Sequence, residues 1–167
     1  MGRYGEHVPF TAFRDFELLP AAAGERLGPP RAEEQNTDYE AGLVAIGAET
    51  WRIRTARVTP TKPGAFVAVW RRDDDGVTRP FVADEVHDGL LVFVRDGTRF
   101  GVFRFTPAHL TDLGVTRTDR SPGKRGFRVY PNWCDELNAQ AVRTQVAQSA
   151  AFTLLSFSDA TAPLQHH

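Results

Sequence analysis

The chain has 167 residues, with 20 Lys+Arg against 21 Asp+Glu for a formal charge of -1, and a single cysteine, Cys134. That length can bury a core of its own without metal or disulfide staples, and one thiol excludes an internal disulfide. No run approaches the ~20 apolar residues of a membrane helix, no secretion signal is legible, and the balanced charge gives no global argument for nucleic acid; one cytoplasmic domain over residues 1–167, without cofactor or metal, is expected.

From the N-terminus, Val8 to Leu19 places Val8, Ala12, Phe16 and Leu19 on one side and predicts a short amphipathic helix ended by Pro20. A Gly- and Pro-containing connection follows to Pro30. Glu33, Glu34, Gln35 and Asn36 then form a polar row ahead of a strand over Tyr39 to Ile46. Gly47 and Ala48 lead tightly into a second strand, Trp51 to Val58, in which Trp51, Ile53 and Thr55 alternate with Arg52, Arg54 and Ala56, so one face packs and the other presents arginine. Thr59 to Gly64 is a rigid turn. Ala65 to Arg71 returns as a strand with Phe66, Ala68 and Trp70 on one side, and Asp73, Asp74, Asp75 and Gly76 read as a hairpin turn, since the spaced ligands of a calcium loop are absent.

Leu90 to Val94 is apolar on both faces and predicts a central strand. Asp96 and Gly97 turn it toward Phe100 to Phe105. Thr106, Pro107 and Gly114 punctuate a short helix over Pro107 to Leu113 as cap, first residue and stop. A flexible basic loop, Val115 to Gly126, leads to a short alternating segment, Phe127 to Tyr130. A long helix is expected from about Asp135 to about Phe157, its apolar stripe formed by Ala139, Val142, Val146, Ala150, Leu154 and Phe157. A mobile tail is expected over residues 160–167. The class is α+β: a bent, mainly antiparallel sheet flanked by helices, the long one packed across it.

Charge is unevenly spread along the chain. Trp51 to Arg72 contains six cations and no acid, and Arg117 to Arg128 contains five cations diluted by Asp119. If the two segments meet in space they form a positive patch on a neutral protein, although a GC-rich genome alone also produces an arginine excess. Phosphate contacts are expected from Arg54, Arg57, Lys62, Lys124, Arg125 and Arg128. Asn138 and Gln145 are expected to reach backbone or base edges, and Tyr130 or Trp133 to stack on a base. Glu33, Glu34, Gln35 and Asn36 form a possible further polar site.

Most catalytic templates fail. There is no nucleophile elbow, no phosphate loop ending in Lys-Ser or Lys-Thr, and no dinucleotide glycine fingerprint. Magnesium nucleases of the restriction type place a Lys two residues after a carboxylate. Here the only lysines, Lys62 and Lys124, stand two residues after Pro60 and Pro122.

Several segments resemble the MepB family: Glu34, Gln35 and Asn36 with Tyr39; Ala56 to Lys62, then Gly64, Phe66, Val67 and Trp70; Gly123 to Pro131; and Asn138, Gln140, Ala141, Thr144 and Gln145. The likeness spans about residues 33–148. It implies a small bacterial cytosolic protein, a restriction-endonuclease-like core without a functioning catalytic motif, and nucleic-acid binding, DNA or RNA, with weak sequence preference. The family's namesake is encoded beside a multidrug efflux pump, so a second expectation is a small-molecule or protein-binding accessory module, with Trp51, Trp70 and Trp133 lining an apolar pocket. A third is a divergent magnesium nuclease using Glu33 or Glu34.

Overall fold

The computed structural model describes residues 8–157, excluding the side chain of Phe157; the tail expected over 160–167 lies outside the described residues. Eleven strands and three α-helices are present among them. The strands are β1 (Arg31–Ala32), β2 (Gly42–Ile46), β3 (Glu49–Thr55), β4 (Arg57–Val58), β5 (Ala65–Ala68), β6 (Trp70–Arg72), β7 (Thr78–Pro80), β8 (Leu90–Asp96), β9 (Arg99–Phe105), β10 (Gly126–Val129) and β11 (Phe152–Phe157). The helices are α1 (Thr11–Glu17), α2 (Pro107–Asp112) and α3 (Ala139–Gln148). The class is α+β, mostly sheet.

Instead of one bent sheet, the described strands form three: six strands in the order β1-β2-β3-β8-β9-β11, three in the order β10-β5-β4, and the β6-β7 hairpin. Pairing is antiparallel except between β3 and β8. A parallel pair needs a crossover, and residues 56–89 supply it through β4 to β7 rather than through a helix.

β8 explains why the large sheet has two cores. Leu91 and Phe93 face α1, packing with Phe10, Phe13, Phe16, Ile53, Phe100 and Val102, whereas Leu90, Val92 and Val94 face the three-stranded sheet and join Phe103, Phe105, Ala65, Val67, Phe127 and Val129. An apolar residue on every pleat therefore marks a strand covered on both sides, as expected for Leu90 to Val94. α1 is shorter than the Val8 to Leu19 expectation. It starts after Phe10, which adopts φ 48°, and its first free N–H, on Thr11, donates to the Glu40 carboxylate at 3.1 Å. α2 follows its punctuation: Thr106 Oγ1 accepts from His109 N at 3.1 Å, and His109 Nδ1 accepts from Thr106 N at 3.2 Å.

The long final helix is corrected. α3 starts at Ala139 and ends at Gln148; a short 3-10 turn, Ser149–Ala151, redirects the chain into β11, which pairs antiparallel with β9. The stripe read as a packing face points outward, with Val142 43% and Val146 66% exposed, while the buried residues of α3 are Ala141 and Gln148. Phe152 to Phe157 has aromatic and leucine side chains that fit helical spacing by coincidence. The open edge of β9 offers their backbone hydrogen bonds, and Phe152 packs on Phe103 at 4.8 Å between ring centroids.

The arginine face of β3 is also corrected. Arg52 and Arg54 point not to solvent but into the space beneath β5 and β6. Arg54 is 1% exposed; its Nε donates to Ala68 O at 3.0 Å and its Nη1 and Nη2 to the two Glu33 carboxylate oxygens at 2.6 and 3.2 Å. Arg52 Nη1 meets Glu33 at 3.0 Å, Arg52 Nε donates to Glu85 O, and the guanidinium lies 4.5 Å from the Phe81 ring centroid. Burial pushes the Arg52 pKa down, and Glu33 opposes that shift.

Candidate nucleic-acid interface

The three-stranded sheet turns Ala65, Val67, Phe127 and Val129 inward and leaves the alternate residues outside. Register then decides what shares the outer face. Phe66 of β5 is paired with Arg57 of β4 on one side and with Arg128 of β10 on the other, so two guanidiniums flank one phenyl ring in a single cross-strand row. Directly paired residues point to the same face. Arg57 is exposed and Phe66 and Arg128 are half-buried. The Tyr39 ring meets Phe66 edge-on at 6.3 Å.

Two glycines fix this row. A Cβ on Gly126 would lie 2.4 Å from the Phe66 ring, so the ring lies against bare backbone there. Gly64, at φ 78°, closes the turn before β5, and a Cβ on it would stand 2.6 Å from Val129 O and 2.8 Å from the Tyr130 ring. Exposed Lys62 belongs to that turn, and Arg128 is steered toward it: Nη1 donates to Pro63 O at 3.1 Å and Nη2 to Thr59 Oγ1 at 3.0 Å.

On the other side of β10 an open cavity of about 510 Å³ lies between the strand, α2 and α3. Its wall includes Lys124, Arg128, Tyr130, Gln140, Arg143 and Thr144. Arg128 thus belongs to both surfaces and joins them. The edge of β10 in this cavity is closed by a side chain: Gln148, 2% exposed, accepts from Tyr130 N at 2.9 Å and donates to Arg128 O at 2.8 Å, as a neighbouring strand does. The loop expected to be flexible is pinned at several points. Arg117 N donates to Phe81 O, Lys124 N to Val115 O, and Val69 N to Arg125 O.

The expected site residues therefore separate. Arg57, Lys62 and Arg128 lie on the three-stranded sheet and its turn, Lys124 lines the cavity beside β10 with Arg128, and Arg125 lines a separate hollow against the β6-β7 hairpin; none of the five enters an ion pair among the described residues. Arg125 leans on Thr78 O at 3.3 Å. Arg54 is corrected: with its donors spent on Glu33, Asn36 and backbone carbonyls, no phosphate reaches it. Asn138 Oδ1 caps α3, accepting from Ala141 N at 2.8 Å, and Gln145 Nε2 donates to Pro131 O and Cys134 O, tying the aromatic turn to the helix. One atom of each of these amides, expected at base edges, already has a structural partner. Trp133 meets Phe152 edge-on at 5.9 Å and packs against the core; Tyr130 lies against Gly64.

Of the polar row, Glu33 and Asn36 are drawn into the arginine network, whereas Glu34 is exposed and Gln35 half-buried. The three tryptophans do not converge: Trp51 is buried on the α1 side, Trp70 lies in the β6-β7 hairpin and Trp133 beside Phe152. Beyond the hairpin, Glu85 receives Arg79 and Arg71, at 2.6 and 3.2 Å, and the hydrogen bond from Arg79 is the main cause that holds its carboxyl down at about 2. Burial pushes the Cys134 thiol up, against nucleophilic use. No cluster of three or more His, Cys, Asp or Glu suited to a metal occurs among the described residues. Phe66 and Arg143 are not singled out as site residues by sequence, the alternation of Phe66 with Ala65 and Val67 being the signal for the former; Gln148 shares a polar helix face with Asn138 and Gln145 in the sequence reading, but its strand-mimicking role is not legible there.

A MepB-like family model matches residues 33–154, from the polar row into the start of β11. The chain belongs to the MepB-like family. A crystal structure of MepB superposes on this MepB-like chain with a TM-score of 0.76 at 32% sequence identity, covering 87% of this chain and 96% of that one. No curated protein matches it. The matched span contains every strand of the candidate face, and α1 lies outside it. Among the described residues no helix is long and apolar enough to cross a membrane.

Proposed function

We propose that this MepB-like protein binds nucleic acid through the outer face of the three-stranded sheet, gripping phosphates with weak sequence preference and without cutting the strand. The observation that carries this reading is the row Arg57–Phe66–Arg128, with Lys62 beside it and Lys124 and Arg143 beyond β10. Unpaired cations attract phosphates, and an aromatic ring between them is a surface on which any base stacks. A restriction-endonuclease-like core is part of the proposal. The mixed sheet, with one parallel pair among antiparallel ones, supports carrying it over from the family resemblance.

A magnesium reading through Glu33 is disfavoured by chemistry. Its carboxylate already faces two guanidiniums, and a cation there would have to displace them from a 7%-exposed side chain. The test is a titration of a fluorescent 12-nucleotide single strand and a 12-base-pair duplex from 50 to 300 mM salt, with magnesium added at the end. Micromolar or weaker binding at physiological salt, falling steeply as salt rises, with the strands left intact, is the expected result. Binding indifferent to salt, or none at 50 mM, contradicts the reading.

A further inference from the structure

The cavity beyond β10 is a recess, not a continuation of the sheet's outer face. Its floor is made of side chains that belong to the core, buried Val115 and Phe127 with half-buried Leu113. Phe127 turns inward where Phe66 and Arg128 turn outward, so the recess descends past the level of the Arg57–Phe66–Arg128 row. Its rim is exposed and polar, with Lys124, Gln140 and Arg143. Gln140, Arg143, Thr144 and Ala147 recur at three- and four-residue spacing, so one face of α3 forms a whole wall. Asp112, the last residue of α2, is the single acid on the wall, against Lys124, Arg128 and Arg143. Neither Asp112, Lys124 nor Arg143 enters an ion pair among the described residues.

The recess is also preformed. Gln148 clamps α3 to the edge of β10 through Tyr130 N and Arg128 O, and Lys124 N donates to Val115 O at 2.9 Å, which fixes the rim over the floor. Its volume of about 510 Å³ falls within the roughly 300–1,000 Å³ of sites that enclose a small ligand. One nucleotide fits; a duplex does not.

We propose that this recess takes one unpaired nucleotide of a strand whose neighbouring phosphates lie on the Arg57–Phe66–Arg128 row, so that the protein selects single strands over duplexes. This rests on the nucleic-acid reading above and narrows it to a class of strand. Lys124 and Arg143 hold a phosphate at the rim, and Leu113, Val115 and Phe127 receive the base from below. Arg128, which borders both surfaces, carries the backbone around β10. A duplex offers its phosphates to the same row, but its bases are paired and stacked. One of them enters the recess only after leaving the stack, a cost absent for a single strand. No base edge is read, so the preference concerns strandedness and leaves sequence preference weak.

The test compares one fluorescent 12-nucleotide strand of mixed sequence with the same strand in a 12-base-pair duplex, at 100 mM salt. Ala147→Phe builds a ring into the recess from an exposed position, and Val146→Phe places the same ring one residue away, on a part of α3 outside it. The wild type is expected to bind the single strand about tenfold more tightly than the duplex. Ala147→Phe should erase that preference, lowering single-strand affinity about tenfold with duplex affinity kept within about twofold, and Val146→Phe should preserve it. In the wild type, the backbone amides of Val115 and Gln148 are followed by NMR; the single strand should shift them and the duplex should not. Equal binding of strand and duplex by the wild type, or a preference that survives Ala147→Phe or disappears equally in Val146→Phe, overturns the recess and leaves the phosphate reading intact. If a melting curve shows Ala147→Phe to be unfolded, the amides decide: unmoved with the single strand bound, or moved as much by the duplex, they overturn the recess. Binding of neither ligand overturns the nucleic-acid reading and the recess with it.

Discussion

Glu33 decides whether the arginine-bearing face of β3 can be buried at all. Its two oxygens meet Arg52 and Arg54, and nothing else of opposite charge approaches Arg54 among the described residues. Breaking a buried pair by removing one partner leaves an uncompensated charge, so Glu33→Gln is predicted to cost about 3–5 kcal/mol in a denaturant melt. Glu34→Gln, at an exposed neighbour, is predicted to change stability by less than about 0.5 kcal/mol. Glu85 adds a pH dependence. Its folded pKa lies at about 2 against 4.5 for the free group, held there first by Arg79. The stability it contributes is therefore complete above about pH 4.5 and is lost as pH falls toward 2. Melting curves between pH 6 and 2.5 should show Glu85→Gln losing less stability on acidification than the wild type; equal slopes contradict this account.

α3 shows where periodicity misleads. Val142 and Val146 share a stripe in sequence, yet they face solvent, and the helix is held by Ala141 and by the Gln148 amide on the β10 backbone. Val146→Glu is accordingly predicted to shift stability by less than about 0.5 kcal/mol. Gln148→Ala, which strands a buried N–H and C=O, is predicted to cost about 1–3 kcal/mol per orphaned group. The same contrast measures what was legible from sequence. Elements punctuated by their own residues were readable: α2 with Thr106 and Pro107, the Asp73 to Gly76 hairpin, and the doubly apolar β8. Elements decided by a distant partner were not. β11 is a strand because β9 has an open edge, and Arg52 and Arg54 are interior because Glu33 waits there, 21 residues before Arg54 in the chain. At the candidate face, the cations Arg57, Lys62, Lys124 and Arg128 were legible as charge on short loops and edge strands. Asn138 and Gln145 show what sequence leaves undecided, because a helix cap and a turn clamp use the same amides that would read a base.

For the whole molecule, the distribution of charge matters more than its sum. Every ion pair among the described residues involves the large sheet, the β6-β7 hairpin or the segments beside them, including α1 through Asp15, and none touches Arg57, Lys62, Lys124, Arg125 or Arg128. A net charge of -1 can therefore coexist with one cationic face. On the proposed reading, position on that face, rather than total charge, gives the affinity. Two charge-matched variants separate these: Arg57→Glu with Lys62→Glu on the sheet face, and Arg14→Glu with Arg26→Glu on the α1 side, all four being exposed. The measurement is the affinity for one fluorescent 12-nucleotide strand at 50, 100 and 200 mM salt, beside a melting curve for each protein. The sheet-face variant is predicted to lose at least about thirtyfold in affinity at 50 mM salt, with a shallower salt slope and an unchanged melting midpoint, whereas the α1-side variant is predicted to stay within about threefold of wild type. Equal losses in the two variants, or a sheet-face variant that binds as wild type does, contradict it.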